Sequence, residues 1–112
     1  MLDNNKSENE FEIGEVIVVD FSPYGFRTGP ATVIGINDDD IEVCSGTSQI
    51  WHEGDPDFEL VAQGEGGLDM DTYFQCTTTY SIEKGNVKDR CGVLEDNIFN
   101  SIREKVDDYQ RR

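Results

Sequence analysis

Six short β-branched or aromatic runs, each ended by turn residues, precede the one clear stretch of helical periodicity. The runs are Glu15 to Phe21 (EVIVVDF), Ala31 to Ile36 (ATVIGI), Ile41 to Ser45 (IEVCS), Phe58 to Ala62 (FELVA), Thr72 to Tyr80 (TYFQCTTTY) and Asn86 to Cys91 (NVKDRC). Ser22-Pro23-Tyr24-Gly25 closes the first, and Asn37-Asp38-Asp39-Asp40 makes a tight turn between the second and third, so these two read as a hairpin. After them Ile98, Phe99, Ile102, Val106 and Tyr109 recur at three- and four-residue steps, the apolar face of a helix. Glu95 and Asp96 near its start and Arg111-Arg112 beyond its end suit the helix dipole. Strands this short cannot bury their apolar sides as an open flat sheet. The expected fold is mainly β: a small twisted barrel of five to seven strands with a C-terminal α-helix packed on it.

At 112 residues the chain suits a single domain. Residues 1–10 read as a disordered acidic leader, 11–109 as the barrel domain and 110–112 as a tail. Apolar runs fall far short of the roughly 20 residues of a membrane span, and the first ten residues do not resemble a signal peptide. The expectation is a soluble, cytoplasmic protein.

Charge narrows the function. Nine basic residues face 24 acidic ones, a net charge of −15. From Thr28 to Glu83, 56 residues pass without a Lys or Arg, and the same stretch carries twelve acids. Nucleic-acid affinity comes largely from Lys and Arg displacing counterions from phosphates, so this balance points away from it. Two acid-rich segments, Asp38, Asp39, Asp40 and Glu42, and then Glu53, Asp55, Asp57 and Glu59 beside Trp51 and His52, offer instead a binding face for a basic protein. Acidic surfaces also serve solubility alone.

No cofactor or metal is expected. Asp38 to Asp40 lack the alternating spacing of a calcium loop, and Gly64 to Gly67 lack the Gly-Lys-Ser/Thr of a phosphate cradle. Cys44, Cys76 and Cys91 are widely spaced, with His52 the lone histidine, which is no zinc pattern. Cys44 and Cys76 sit in strand-like runs and read as small buried groups.

The order of segments resembles the MazF/PemK-type toxins. GEVIVVDFSP (Gly14 to Pro23), GPATVIGI (Gly29 to Ile36) and IEVCSGTSQ (Ile41 to Gln49) are similar to that family's first three strands. Ser81 to Val106 is similar to its threonine-isoleucine-acid-lysine turn, last strand and final helix. The resemblance implies an SH3-like barrel, usually a homodimer, in which active members cut single-stranded RNA without metal and an antitoxin is the partner. The gyrase poison CcdB is built similarly, so fold alone does not settle function. The resemblance also implies a catalytic arginine and a threonine partner. Thr47 matches the threonine, whereas the arginine position holds Gly29. Arg27, two residues upstream and so up to about 7 Å of extended chain away, is the nearest substitute.

Two functions compete. One is a family-fold protein without nuclease activity that inhibits a basic nucleic-acid-handling protein through an acidic, phosphate-mimicking face. The other is a metal-independent endoribonuclease toxin using Arg27 and Thr47. The sequence electrostatics favour the first. A plain dimeric module with neither role is the third reading.

Overall fold

The computed structural model describes residues 10–49 and 53–111, which form seven antiparallel strands and one α-helix. The strands are β1 (Glu15–Val19), β2 (Gly29–Ile36), β3 (Asp40–Thr47), β4 (Phe58–Val61), β5 (Thr72–Gln75), β6 (Tyr80–Glu83) and β7 (Val87–Val93). The helix α1 spans Asp96–Gln110. The sheet runs β4-β5-β3-β2-β1-β7, with β6 also on β3. The mainly β class with a C-terminal helix is therefore as the sequence predicts. The leader lies outside the described residues apart from Glu10.

The strand β3 is the hub. One edge pairs with β2, and the other pairs first with β6 and then with β5. Ile41 faces Ile82 and Val43 faces Tyr80, but Gly46 faces Phe74 and Thr47 faces Tyr73. The second chain thus carries three more residues than β3 between the two pairings. This corrects the reading of Thr72 to Tyr80 as one strand. Strand propensity reports how a side chain fits a pleated, half-buried surface, and here other partners win. The Cys76 amide donates to the Asp57 carbonyl at 2.9 Å, and Thr79 Oγ1 donates to Glu42 Oε2 at 2.7 Å. Those bonds draw the Cys76–Thr79 segment off the ladder.

Two apolar clusters hold the sheet. Val16, Ile34, Cys44, Val61, Phe74, Cys76 and Leu94 pack with Ile102 and Val106 of α1, and Ile98 and Phe99 lean on the same cluster. Full burial of a side chain such as Ile102 contributes about 1.5–3 kcal/mol. The second cluster gathers Ile17, Val19, Phe21, Val33, Ile41, Val43 and Ile82, with Tyr80 and Val87 at its margin. Tyr109 departs from the predicted apolar stripe, being 43% exposed. The last helical turn reaches the 56–58 segment, where Lys105 Nζ donates to the carbonyls of Pro56 (3.2 Å) and Phe58 (3.3 Å), and Tyr109 stays on the rim. No helix among the described residues is long and apolar enough to cross a membrane.

Candidate functional site

The loop after β1 forms one wall of a groove. Phe21 is buried, and Ser22–Tyr24 make a single 3-10 turn with Pro23 near its start. Gly25 ends that turn at φ +85°, a left-handed conformation that a side chain would strain, and its amide donates to the Ser22 carbonyl. The chain then stays at the surface, with Phe26, Arg27 and Thr28 exposed before β2 begins. The rest of the lining comes from the end of β3 with Ser48 and Gln49, from Phe58, from Gln75 and from Tyr80, whose ring packs on the loop. Together they enclose about 790 Å³. Gly46 keeps the β3 side thin, because a Cβ there would stand 2.7 Å from Thr72 Cγ2 and 2.8 Å from a Phe74 ring carbon.

Arg27 and Thr47 line this same groove. Thr47 Oγ1 accepts the Gln49 amide at 3.3 Å, which fixes the turn leaving β3 and leaves the hydroxyl proton free to donate. Arg27 is exposed and makes no hydrogen bond or ion pair with any described residue. Gly29, the position that the resemblance assigns to an arginine, also lines the groove, within β2 opposite Val19.

The groove's electrostatics differ from those of the rest of the chain. None of the fifteen described lining residues is Asp or Glu, and the one cation among them is Arg27. Elsewhere most described cations are engaged, Lys88 being the exception. Arg90 Nε meets Glu15 Oε2 at 2.6 Å, Arg103 Nε lies 3.6 Å from Asp107 and its Nη1 2.9 Å from the Ile34 carbonyl, and Lys105 lies 3.6 Å from Glu59. Arg111 lies 3.9 Å from Asp108, and Lys84 Nζ donates to the Asp38 carbonyl at 2.9 Å.

The acidic candidates sit on other elements. Asp38 and Asp39 are exposed at the β2–β3 turn. Asp40 accepts from Asn37 Nδ2 and from Ser81 Oγ, both at 2.9 Å, and these bonds, Asn37's first, hold its carboxyl below the ordinary range. Glu42 is taken by Thr79. Glu53, Asp55 and Asp57 lie on the approach to β4, where Asp55 Oδ1 accepts the Asp57 amide at 3.0 Å, and Glu59 faces Lys105. Three of the eight described acids in the two predicted segments thus have side-chain partners on other segments of the chain. Trp51 and His52 lie outside the described residues.

Sequence reasoning passed over the aromatic part of the groove. The Tyr80 ring is the centre of a cluster, with centroids of Tyr24, Phe26 and Phe21 at 5.1, 5.6 and 5.8 Å, all edge-to-face. The Tyr24 hydroxyl donates to the Ser81 carbonyl, tying the loop to β6. A signal for the groove did exist in the sequence. Residues 21–37, 43–52 and 72–82 are three windows without one carboxylate, and most of the lining comes from them.

Cys44 and Cys76 are buried, and the Cys76 thiol donates to the Phe74 carbonyl at 3.4 Å. The neighbouring Cys76 thiol, and burial after it, push the Cys44 thiol well above its ordinary value. Cys91 is half-buried, and burial raises its thiol as well.

No protein-family model and no curated protein sequence matches the chain. Solved structures do. MazF (Form-I) from Deinococcus radiodurans superposes with a TM-score of 0.76 at 13% identity, covering 91% of this chain and 97% of that one. An endoribonuclease from a mycobacterial species gives 0.74 at 15%, covering 92% and 93%. A mycobacterial endoribonuclease in complex with its cognate antitoxin gives 0.72 at 16%, covering 92% and 95%. At such identities the likeness establishes architecture and leaves chemistry to be argued from side chains. The chain has the MazF fold, in a sequence far diverged from the MazF proteins it resembles.

Proposed function

We propose that the chain is a metal-independent endoribonuclease that takes single-stranded RNA into the Arg27–Thr47 groove. One observation carries this reading. In a chain of net charge −15, the described lining of the groove that holds both candidate residues has no carboxylate and one cation, Arg27, which pairs with no described residue. Phosphate binding depends on the potential at the site, and acids elsewhere are screened over a Debye length of about 8 Å at physiological salt. Net charge lowers the on-rate for RNA without closing the site.

In the proposed reaction the 2′-oxygen of the substrate forms a bond to the adjacent phosphorus. The P–O5′ bond breaks, leaving a 2′,3′-cyclic phosphate and a free 5′-hydroxyl. The described lining offers neither imidazole nor carboxylate as a base, so the 2′ proton passes to water and solvent protonates the leaving oxygen. Arg27 neutralises charge building on the phosphorane, and Thr47 Oγ1 donates to one of its oxygens. The arrangement is that of a slow, electrostatically assisted catalyst. A cognate antitoxin is the partner this reading implies, as in the mycobacterial complex.

The test is incubation with a long single-stranded RNA in EDTA. Cleavage is expected, with Arg27→Ala lowering kcat by about 100- to 1,000-fold and Thr47→Ala lowering kcat more than it raises KM. A wild-type protein that leaves RNA intact, yet binds and inhibits a basic nuclease or polymerase, would restore the acidic-face reading. The charge balance supports that alternative, while the partners already held by Asp40, Glu42 and Glu59 weigh against it.

A further inference from the structure

We infer that Phe26, braced by Tyr80 and Phe21, is a stacking platform for a nucleobase of the bound strand and fixes which nucleotide lies beside Arg27. The inference rests on the RNA-cleavage reading and adds to it a residue that holds the base rather than the phosphate.

Four observations lead there. First, Phe26 is 49% exposed and Tyr24 43%, although both belong to an aromatic cluster whose anchor, Phe21, is buried. A loop that needed these rings only for packing would turn them inward, as it does Phe21. Second, the rings meet edge-to-face, Phe26 on Tyr80 at 86° and Tyr24 on Tyr80 at 66°. Such contacts use the edge of one ring on the face of another and leave flat faces uncovered. Third, the cluster is held from several sides: Tyr24 donates to the Ser81 carbonyl, and the Tyr24 and Phe26 amides both donate to the Phe21 carbonyl, at 2.8 and 3.2 Å. A platform held in place loses little freedom when a base settles on it. Fourth, Phe26 precedes Arg27 directly, and both face a groove whose described lining has no carboxylate.

A ligand that matches this lining has a flat π-face within one residue's reach of a dispersed negative charge. Adjacent Cα atoms are about 3.8 Å apart, so a base on Phe26 belongs to a nucleotide flanking the phosphate at Arg27. Stacking tolerates any base because each presents a π-face, and purines present the larger one. The expected preference is therefore for a purine at that position over a pyrimidine.

The test measures binding of a randomised, non-cleavable 2′-O-methyl octanucleotide pool to the full chain, alongside the same backbone made wholly abasic. Phe26→Ala is expected to weaken binding of the pool by roughly 5- to 150-fold, the range seen when a stacking aromatic is truncated. Phe26→Tyr is expected to retain affinity, and Phe26→Leu, apolar but without a π-face, to behave like alanine. On the abasic backbone all four proteins should bind alike. Thermal melting confirms that each variant folds. Full rescue by leucine, or an equal loss on the abasic chain, overturns the inference. So does light scattering in which Phe26→Ala converts a dimer to a monomer, since the ring would then serve a second copy of the chain. Binding that depends on Arg27 and ignores Phe26 overturns this inference and leaves the cleavage reading standing. No binding of the pool by the wild type at about 100 µM overturns both.

Discussion

The groove and the helix side of the sheet use the same kinds of residue to opposite ends. On the helix side, Ile102 and Val106 are buried against Phe74 and Val16, and Arg103 and Lys105 are taken up by carbonyls and carboxylates. In the groove, Phe26 and Arg27 are exposed and Arg27 has no partner among the described residues. Aromatic area left half in water and a cation left unpaired add nothing to folding. Their retention there makes sense as readiness for a ligand. The difference also shows why net charge misleads: the described acids lie outside the groove and several are already partnered.

If this division is right, stability and activity separate by region. The largest effect is expected from Ile102→Ala, which should destabilise the fold by about 2–5 kcal/mol through the cavity it opens. Arg27→Ala should stay within about 0.5 kcal/mol of the parent. Chemical denaturation reads both, and a groove variant as unstable as the core variant would erase the distinction. A smaller effect sharpens the electrostatic half. Neutralising Arg27 should reduce the slope of log affinity against log salt for single-stranded RNA by about 0.7, whereas Lys88→Ala, outside the groove, should leave it unchanged. Equal slopes for the two variants would show that the strand binds the whole surface.

The smallest effect lies at the acidic turn. Asp40 is held below the ordinary carboxylate range chiefly by Asn37 and then by Ser81. Because its folded pKa is depressed, what it adds to stability is present above the ordinary carboxylate pKa and is lost as pH falls through the folded value. Asn37→Ala should move the Asp40 titration, followed by NMR, upward toward the ordinary range and leave RNA cleavage unchanged. A change in cleavage would join the turn to the groove and blur the two regions.

The parts of this fold that were legible in the sequence are those fixed by local pattern. The spacing from Ile98 to Val106 marked α1 and its buried face, and Asn37 to Asp40 marked the β2–β3 turn. Cys76 to Thr79 was illegible because three threonines and a tyrosine favour a strand wherever they stand, and only Asp57 and Glu42, distant in sequence, draw the segment away. At the site, Arg27 and Thr47 could be named, but their sharing of one groove could not, since it depends on the short 3-10 turn that ends at Gly25. The aromatic platform was missed for a different reason. In sequence Tyr80 is only the end of a strand-like run, whereas the carboxylate-free window around it belongs to the groove itself.

The three-residue step between β5 and β6 has a consequence for how such a chain can change. Each strand keeps its own alignment with β3, so the chain at Thr77 and Thr78, between the buried Cys76 and the Glu42-bound Thr79, can gain or lose residues without dislodging either alignment. Gln75 and Tyr80, on the two sides of that stretch, both line the groove. Insertions or deletions there would reshape the mouth of the groove while the sheet stays as it is. Descendants of one scaffold could thereby diverge in what they grip without first having to solve the folding problem again.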